Sequence, residues 1–299
     1  MRFIYAYPEM QGTDRDMLDA GPVGEVARAA EAAGFGGFAF TEHPSPGARW
    51  LASGGHQSLD PFVALSYVAA ATTSMKLLPY ISVLPYRNPL LLAKTAATVD
   101  KLSGGRFVLG VGSGYLKGEF RALGVDIEER NALFDEALDV LPMHWSGEPF
   151  SYKGRHFEAV ECIGRPRPVQ QPIPIWIGGN ARVTRQRVAE RAQGWMPLLV
   201  PPEVAKTARS PIVDGVDEVV ELMKPMRETA AKRGLELDLV LPYSNRALAT
   251  DPARDADRHR EAFADLEAAG VTWVVLSGST HDHAATTAFI EAVGATYLR

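Results

Sequence analysis

Two residues suited to proton transfer stand side by side in "AFTEHP", residues 39–44: Glu42 and His43. The stretch ends a Gly-rich apolar run and is closed by Pro44, so the pair falls where a hydrophobic strand should stop. Histidine titrates near neutral pH and suits moving a proton or donating a hydrogen bond to a developing charge. The adjacent carboxylate could orient it or contact a ligand. The plainer reading is a strand end reaching water, and the residues alone leave both open.

Two glycine-rich stretches offer a different chemistry. In "GVGSGY", residues 110–115, and "IGGNAR", residues 177–182, Gly112, Gly114, Gly178 and Gly179 let the backbone approach a ligand closely. A helix starting just beyond each would present unpaired N–H groups and a positive dipole end, which suits a phosphate. Ser113, Tyr115 and Asn180 stand in the same turns. Tight strand–helix packing accounts for either stretch alone; the two together favour an anionic cofactor. "GVGSG" is not a dinucleotide fingerprint, because the last glycine and an acidic strand end about 20 residues on are both missing. "HDH" at 281–283 raises the question of a metal, but Asp282 stands where a helix should begin and no second cluster of ligands accompanies it; no metal is expected. His56, His144, His156 and His259 are read as structural or exposed, and Cys162 has no activating neighbours.

The elements that would position these residues follow one grammar: an Ala-rich amphipathic helix, a glycine, then a short apolar strand. "VARAAEAAGFGGFAF", "AATVDKLSGGRFVLGVG", "VAERAQGWMPLLV" and "FADLEAAGVTWVVLSG" all follow it. The glycine suits a left-handed helix cap, and the unbroken apolar runs suit strands buried on both faces of a parallel sheet. The pattern predicts strands near 1–7, 37–42, 76–84, 106–112, 174–179, 194–199, 237–243 and 271–277. It predicts helices near 22–33, 61–73, 89–103, 130–144, 182–193, 216–233, 257–269 and 282–294. Eight alternations fit an α/β fold, a (β/α)8 TIM barrel, with a doubly wound open sheet as the rival. Two insertions interrupt it. Residues 145–173 contain an alternating hairpin turning at Gly154 and a Pro-rich connector, and residues 200–215 form a long connection after the sixth strand. The expectation is one domain over 1–299. In such a barrel the residues just past each strand's C-terminal end line the active site, which is where Glu42, His43 and both glycine turns fall.

Composition narrows the field. The chain has 299 residues, 46% of them apolar, enough for a sizeable core. A net charge of −5 gives no basic footprint for nucleic acid. The single cysteine fits a reducing compartment, and "MRFIYAYPEM" is interrupted at Pro8 and Glu9 before any leader-like apolar run develops. No run approaches the length of a membrane span. A cytoplasmic protein acting on a small molecule is expected, with no membrane partner.

Several longer stretches resemble the bacterial luciferase-like monooxygenase superfamily, and within it the branch of oxidoreductases that use the deazaflavin coenzyme F420. They are "TEHP", "GGHQSLDPFVALSYVAAATTSMKL", "VLPYRNPLLLAKTAATVDKLSGGRFVLGVGSGYLKGEFRALGVD", "SGEPFSYKGRHF" and "RPRPVQQPIPIWIGGNA". The likeness covers about residues 1–200, with weaker support beyond, and it implies a (β/α)8 barrel, in agreement with the strand count. It implies catalytic or cofactor-side roles for His43 and Glu42. It places Ser82 and Val83 at a bulge where deazaflavin enzymes back the ring with a non-proline cis peptide. It gives Gly112, Ser113, Gly114 and Tyr115 to a cofactor-holding loop, and Gly178, Gly179 and Asn180 to the phosphate side. One departure stands out: Tyr115 replaces the acid of the sugar-phosphate dehydrogenases, and a phenol is a poorer acid at neutral pH. The implied function is hydride transfer between F420 and a small organic substrate. The alternatives are an FMN-dependent monooxygenase fed by a partner reductase, and a flavin-binding carrier without catalysis. The resemblance also implies a homodimer.

Overall fold

Leu77 and Leu78 point to opposite sides of the same strand, one toward an outer helix layer and one into a closed interior. That alternation, repeated strand by strand, builds the molecule. The computed structural model describes residues 1–12, 14–278 and 282–298. Its strands are β1 (Arg2–Ala6), β2 (Gly37–Phe40), β3 (Lys76–Pro79), β4 (Ser82–Val83), β5 (Leu109–Gly112), β6 (Pro149–Lys153), β7 (Glu158–Ile163), β8 (Ile175–Gly178), β9 (Gly194–Met196), β10 (Asp238–Pro242) and β11 (Trp273–Leu276). The helices are α1 (Val23–Ala33), α2 (Ala48–Ala52), α3 (Pro61–Ala71), α4 (Pro89–Ser103), α5 (Lys117–Ala122), α6 (Arg130–Ser146), α7 (Arg182–Arg191), α8 (Pro202–Thr207), α9 (Gly215–Ala231), α10 (Arg246–Thr250), α11 (Ala256–Ala268) and α12 (His283–Val293).

The main sheet is parallel and runs β3-β2-β1-β11-β10-β9-β8-β5-β4. Its two ends are halves of one predicted strand, 76–84, divided at a cis peptide between Tyr80 and Ile81. The N-terminal half, β3, bonds to β2, and the C-terminal half, β4, bonds to β5. Leu77 reaches the segment before β5 through a bridge to Phe107 and so draws the two ends together. The nine-stranded sheet is therefore an eight-unit barrel, nearly closed, with its third strand broken. Ile4, Leu78, Trp176, Val240 and Val275 fill the interior, while Tyr5, Leu77, Ile177, Leu239 and Leu276 pack outward against the helices.

Local sequence sets the helix ends. Asp60 and Asn88 accept first-turn N–H bonds at the starts of α3 and α4, each followed by a proline at the first helical position. Gly34 and Gly104 close α1 and α4 in the left-handed conformation. The insertion at 145–173 is an antiparallel hairpin of β6 and β7, and that at 200–215 carries the short helix α8. Among the described residues, no helix is long and apolar enough to cross a membrane.

Candidate active site

The C-terminal ends of β2, the broken third strand, β5, β8 and β9 converge on a cavity of about 340 Å³. Glu42, His43, Val83, Ser113, Gly114, Tyr115, Gly178, Gly179 and Asn180 all line it. Ser82 and Gly112 lie behind the wall. Ser82 is fully buried with its hydroxyl donated to Glu42 at 2.9 Å. Gly112 is covered by Ile81, whose side chain occupies the space a Cβ there would need. The non-proline cis peptide falls at Tyr80–Ile81, two residues before the Ser82–Val83 step on which the resemblance places it. Ile81 itself faces the cavity.

Glu42 and His43 diverge from one another. The Glu42 carboxylate turns to the broken strand, accepting from the Val83 N–H at 2.6 Å and from Arg87 Nε at 3.0 Å, with a second close contact from the same guanidinium. Arg87 also donates to Asp60 at 2.8 Å, so one guanidinium ties the end of β2 to the start of α3. Burial works against the Arg87 charge, but Glu42 and Asp60 outweigh it and hold the guanidinium above its ordinary pKa. Burial likewise raises Asp60, yet the hydrogen bonds from Arg87 and the α3 N–H groups leave its carboxyl below the usual range.

His43 takes its partner from elsewhere. Its Nδ1 lies 3.2 Å from the Oε2 of Glu119, a fully buried carboxylate on α5. The same carboxylate accepts from the Tyr86 hydroxyl and the Ser45 N–H, each at 3.2 Å. Acting as acceptor for three donors, Glu119 places the imidazole hydrogen on Nδ1 and leaves Nε2 for the cavity. Ser58 clamps the His43 backbone, receiving its N–H at 2.7 Å. Trp50 packs on the imidazole at 4.5 Å between centroids, and His56 meets it edge-on at 4.8 Å. His56, read from sequence as structural or exposed, thus belongs to the cavity wall. Its motif gave no signal, because only the packing of the 53–58 turn against the end of β2 brings it there.

The tyrosines around this centre stay protonated. Burial first, and then the charges of Glu119 and Glu9, push Tyr115 up to about 12. Tyr86 is raised further, by burial and then by Glu119. Both are hydrogen-bond donors at neutral pH, not acids.

On the opposite wall, Asn180 is fully committed to the protein. Its amide donates to the carbonyls of Leu198 and Pro211, both at 2.9 Å, and its oxygen accepts from the Leu198 N–H at 2.8 Å. It fastens the connection after β9 to the turn after β8. The start of α7 beside it has no side-chain cap, so its first N–H groups are left for another acceptor, next to the buried Thr184. Gly114, at φ +73, presses so closely on Val83 and Phe120 that a Cβ would meet them at 2.5 and 2.9 Å. A flat ring between Ile81, Val83 and His43, with an anionic tail toward α7, fits this arrangement of apolar wall, bare backbone and uncapped helix. Trp195 takes no part in it: it is buried in the outer core, its indole donating to the Gly179 carbonyl. Of the "HDH" stretch, His281 lies outside the described residues, and Asp282 caps α12 by accepting from the Ala285 N–H. No group of three or more potential metal ligands forms among the described residues.

Comparison with known proteins places this geometry in context. A family model described as luciferase-like monooxygenase matches residues 1–274. An FMNH(2)-dependent dimethylsulfone monooxygenase from Pseudomonas putida is 31% identical over 207 residues, covering 65% of this chain and 55% of that protein. The crystal structure of monooxygenase RslO1 from Streptomyces bottropensis superposes with a TM-score of 0.77 at 18% identity, covering 100% and 99% of the two chains. An F420-dependent secondary alcohol dehydrogenase superposes with a TM-score of 0.73, also at 18% identity, covering 99% and 97%.

Proposed function

The chain belongs to the luciferase-like monooxygenase family, and from that premise we propose that it is an oxidoreductase moving a hydride between coenzyme F420 and a small organic substrate. The observation that carries this reading is His43. Its Nδ1 is anchored by Glu119, and it opens on a cavity whose other walls are Ile81, Val83 and two strand-to-helix turns. When bound, the deazaflavin would supply the hydride chemistry, which no side chain here can perform.

The residues themselves do the rest. Ile81 and Val83 offer an apolar face for the ring. Ser113, Gly114 and the start of α7 hold the polar tail. His43 holds or accepts the substrate proton at Nε2, with Glu119 steadying the charge that forms on the imidazole. Tyr115 donates a hydrogen bond and keeps its proton. The burial of Glu119 and the packing of Trp50 shield the Nδ1 side of the dyad, while Nε2 is left to the cavity.

A second reading is a monooxygenase that uses reduced FMN from a partner reductase. It is favoured by the Pseudomonas relative named for that cofactor. Titrating the purified protein with F420 and with FMN, followed by absorbance, separates the two. Tight FMN binding without F420 binding overturns the first reading. Binding of either, with no turnover on any alcohol or ketone and no loss of binding in His43→Ala, overturns catalysis in favour of a carrier.

A further inference from the structure

A proton taken up at His43 Nε2 has to leave again before the next turnover, and the Nδ1 end of the ring is closed to it. Glu119 there is buried and already accepts from the Tyr86 hydroxyl and the Ser45 N–H. We propose that His56 and Glu9 form a second dyad, which carries the proton between His43 Nε2 and solvent. It rests on His43 being the proton-transfer residue, as proposed above.

Elimination points to His56. Among the described residues lining the cavity, the ionisable ones besides His43 are Glu42, His56, Tyr80, Tyr115 and Arg209. A guanidinium gives up no proton at neutral pH. The Glu42 carboxylate is occupied by Ser82, Val83 and Arg87. Burial first, then Glu119 and Glu9, push Tyr115 up to about 12, and burial, then Glu9, raises Tyr80 further still. Both phenols therefore keep their protons. His56 is left, and it stands against His43. The two rings meet edge-on at 4.8 Å between centroids, and Trp50 packs on both, at 4.5 and 5.5 Å.

The bonding of His56 suits a relay. Its Nδ1 lies 3.1 Å from the Gln57 carbonyl, which can only accept, so Nδ1 carries the hydrogen of the neutral ring. Nε2 then holds the lone pair that can take a proton, and the Oε2 of Glu9 waits 3.5 Å from it. The backbone fixes that spacing: Gln11 bridges to His56, and the Gln57 N–H donates to the Met10 carbonyl at 2.8 Å. Side-chain exposure rises along the series, from 10% at His43 to 19% at His56 and 40% at Glu9. In the step itself, the substrate's O–H bond breaks as the His43 Nε2–H bond forms. That bond then breaks in favour of His56 Nε2, across at most one water. Glu9 or bulk water takes the proton last, and both imidazoles return to the neutral Nδ1–H form. The relay moves protons only, and runs backward when the substrate is reduced.

The test reads the rate at which His43 Nε2 gains and loses its proton, by 15N relaxation dispersion on the full chain labelled at histidine. It is run on the chain alone and then with saturating F420 or FMN. His56→Gln keeps a polar side chain on the wall but cannot carry a proton, and should slow the exchange about tenfold or more. Free imidazole in solution should return that rate to within about twofold of wild type, which a merely structural role for His56 would not allow. Glu9→Gln, at an exposed position, should slow the exchange about threefold or more, so misfolding of one variant does not decide the matter. The proposal is overturned if a folded variant of either kind exchanges at the wild-type rate, or if imidazole fails to restore the slowed His56→Gln protein. Failure of both cofactors to bind would sink the oxidoreductase reading alone, because the rates in the free chain still decide the relay.

Discussion

The carboxylate that anchors His43 belongs to Glu119, 76 residues further along the chain, and not to Glu42 beside it. The distinction has a kinetic consequence. Glu119→Gln keeps the shape of the side chain but removes the charge that would steady a protonated imidazole. Turnover should fall about tenfold to a hundredfold while cofactor affinity stays within about twofold. Steady-state rates and a cofactor titration on the same preparation check this; an unchanged rate removes Glu119 from the catalytic arrangement.

Glu42 should behave as a structural residue with an effect on the cofactor wall. It holds the Val83 N–H, the Ser82 hydroxyl and Arg87 together. Glu42→Ala leaves the guanidinium without its buried partner. We expect a loss of about 3 kcal/mol, at the low end for a broken buried pair because Arg87 keeps some access to water. The shift of the urea midpoint measures it, and a loss below about 1 kcal/mol contradicts it.

Tyr115 offers a pH test. Burial and then the charges of Glu119 and Glu9 push it up to about 12, so it carries its proton throughout the neutral range. Tyr115→Phe should therefore lower the rate by no more than about tenfold, the worth of one hydrogen bond. The shape of the pH–rate profile between about pH 6 and 9 should not change. A lost limb in that range would make Tyr115 an acid after all.

Glu31 should govern part of the acid stability. Burial opposes its ionised form. The Ser74, Thr73 and Met75 N–H groups and the Ser74 hydroxyl outweigh that and hold its carboxyl below the usual value. Because the folded value lies below the unfolded one, the stabilisation is complete above about pH 4.5 and fades as pH falls through the folded value. Glu31→Gln should cost about 1 kcal/mol at pH 7, an amount suited to a partly exposed site. The difference from wild type should shrink toward pH 3, as thermal midpoints across that range would show.

Most of the scaffold was legible from residues alone. The helix at 89–103 begins at Asn88 with Pro89 and ends at Gly104, and those capping types fix its bounds without tertiary help. The eight strands follow from continuous apolar runs, since a strand buried on both faces has no polar positions to confuse with a helix or loop. The break in the third strand was less legible. The stretch 76–84, "KLLPYISVL", is mostly apolar, and apart from Pro79, which cannot donate to a strand ladder, nothing in its composition announces where hydrogen bonding changes from β2 to β5.

The site divides along the same line. Local sequence located Glu42, His43 and the two glycine turns at strand ends, because strand termination and backbone approach are properties of a few consecutive residues. It could not assign partners. Asn180 stood in a phosphate-like turn, yet its amide is used to fasten residues 198 and 211. His56 carried no motif, yet it stands against His43. Sequence alone determined the alternation of buried strands and capped helices, and so which residues reach the barrel mouth. Only the tertiary structure decided which of them touch, because closing a barrel brings together strand ends far apart in the chain, and a buried carboxylate bonds to whichever donors that closure leaves within reach.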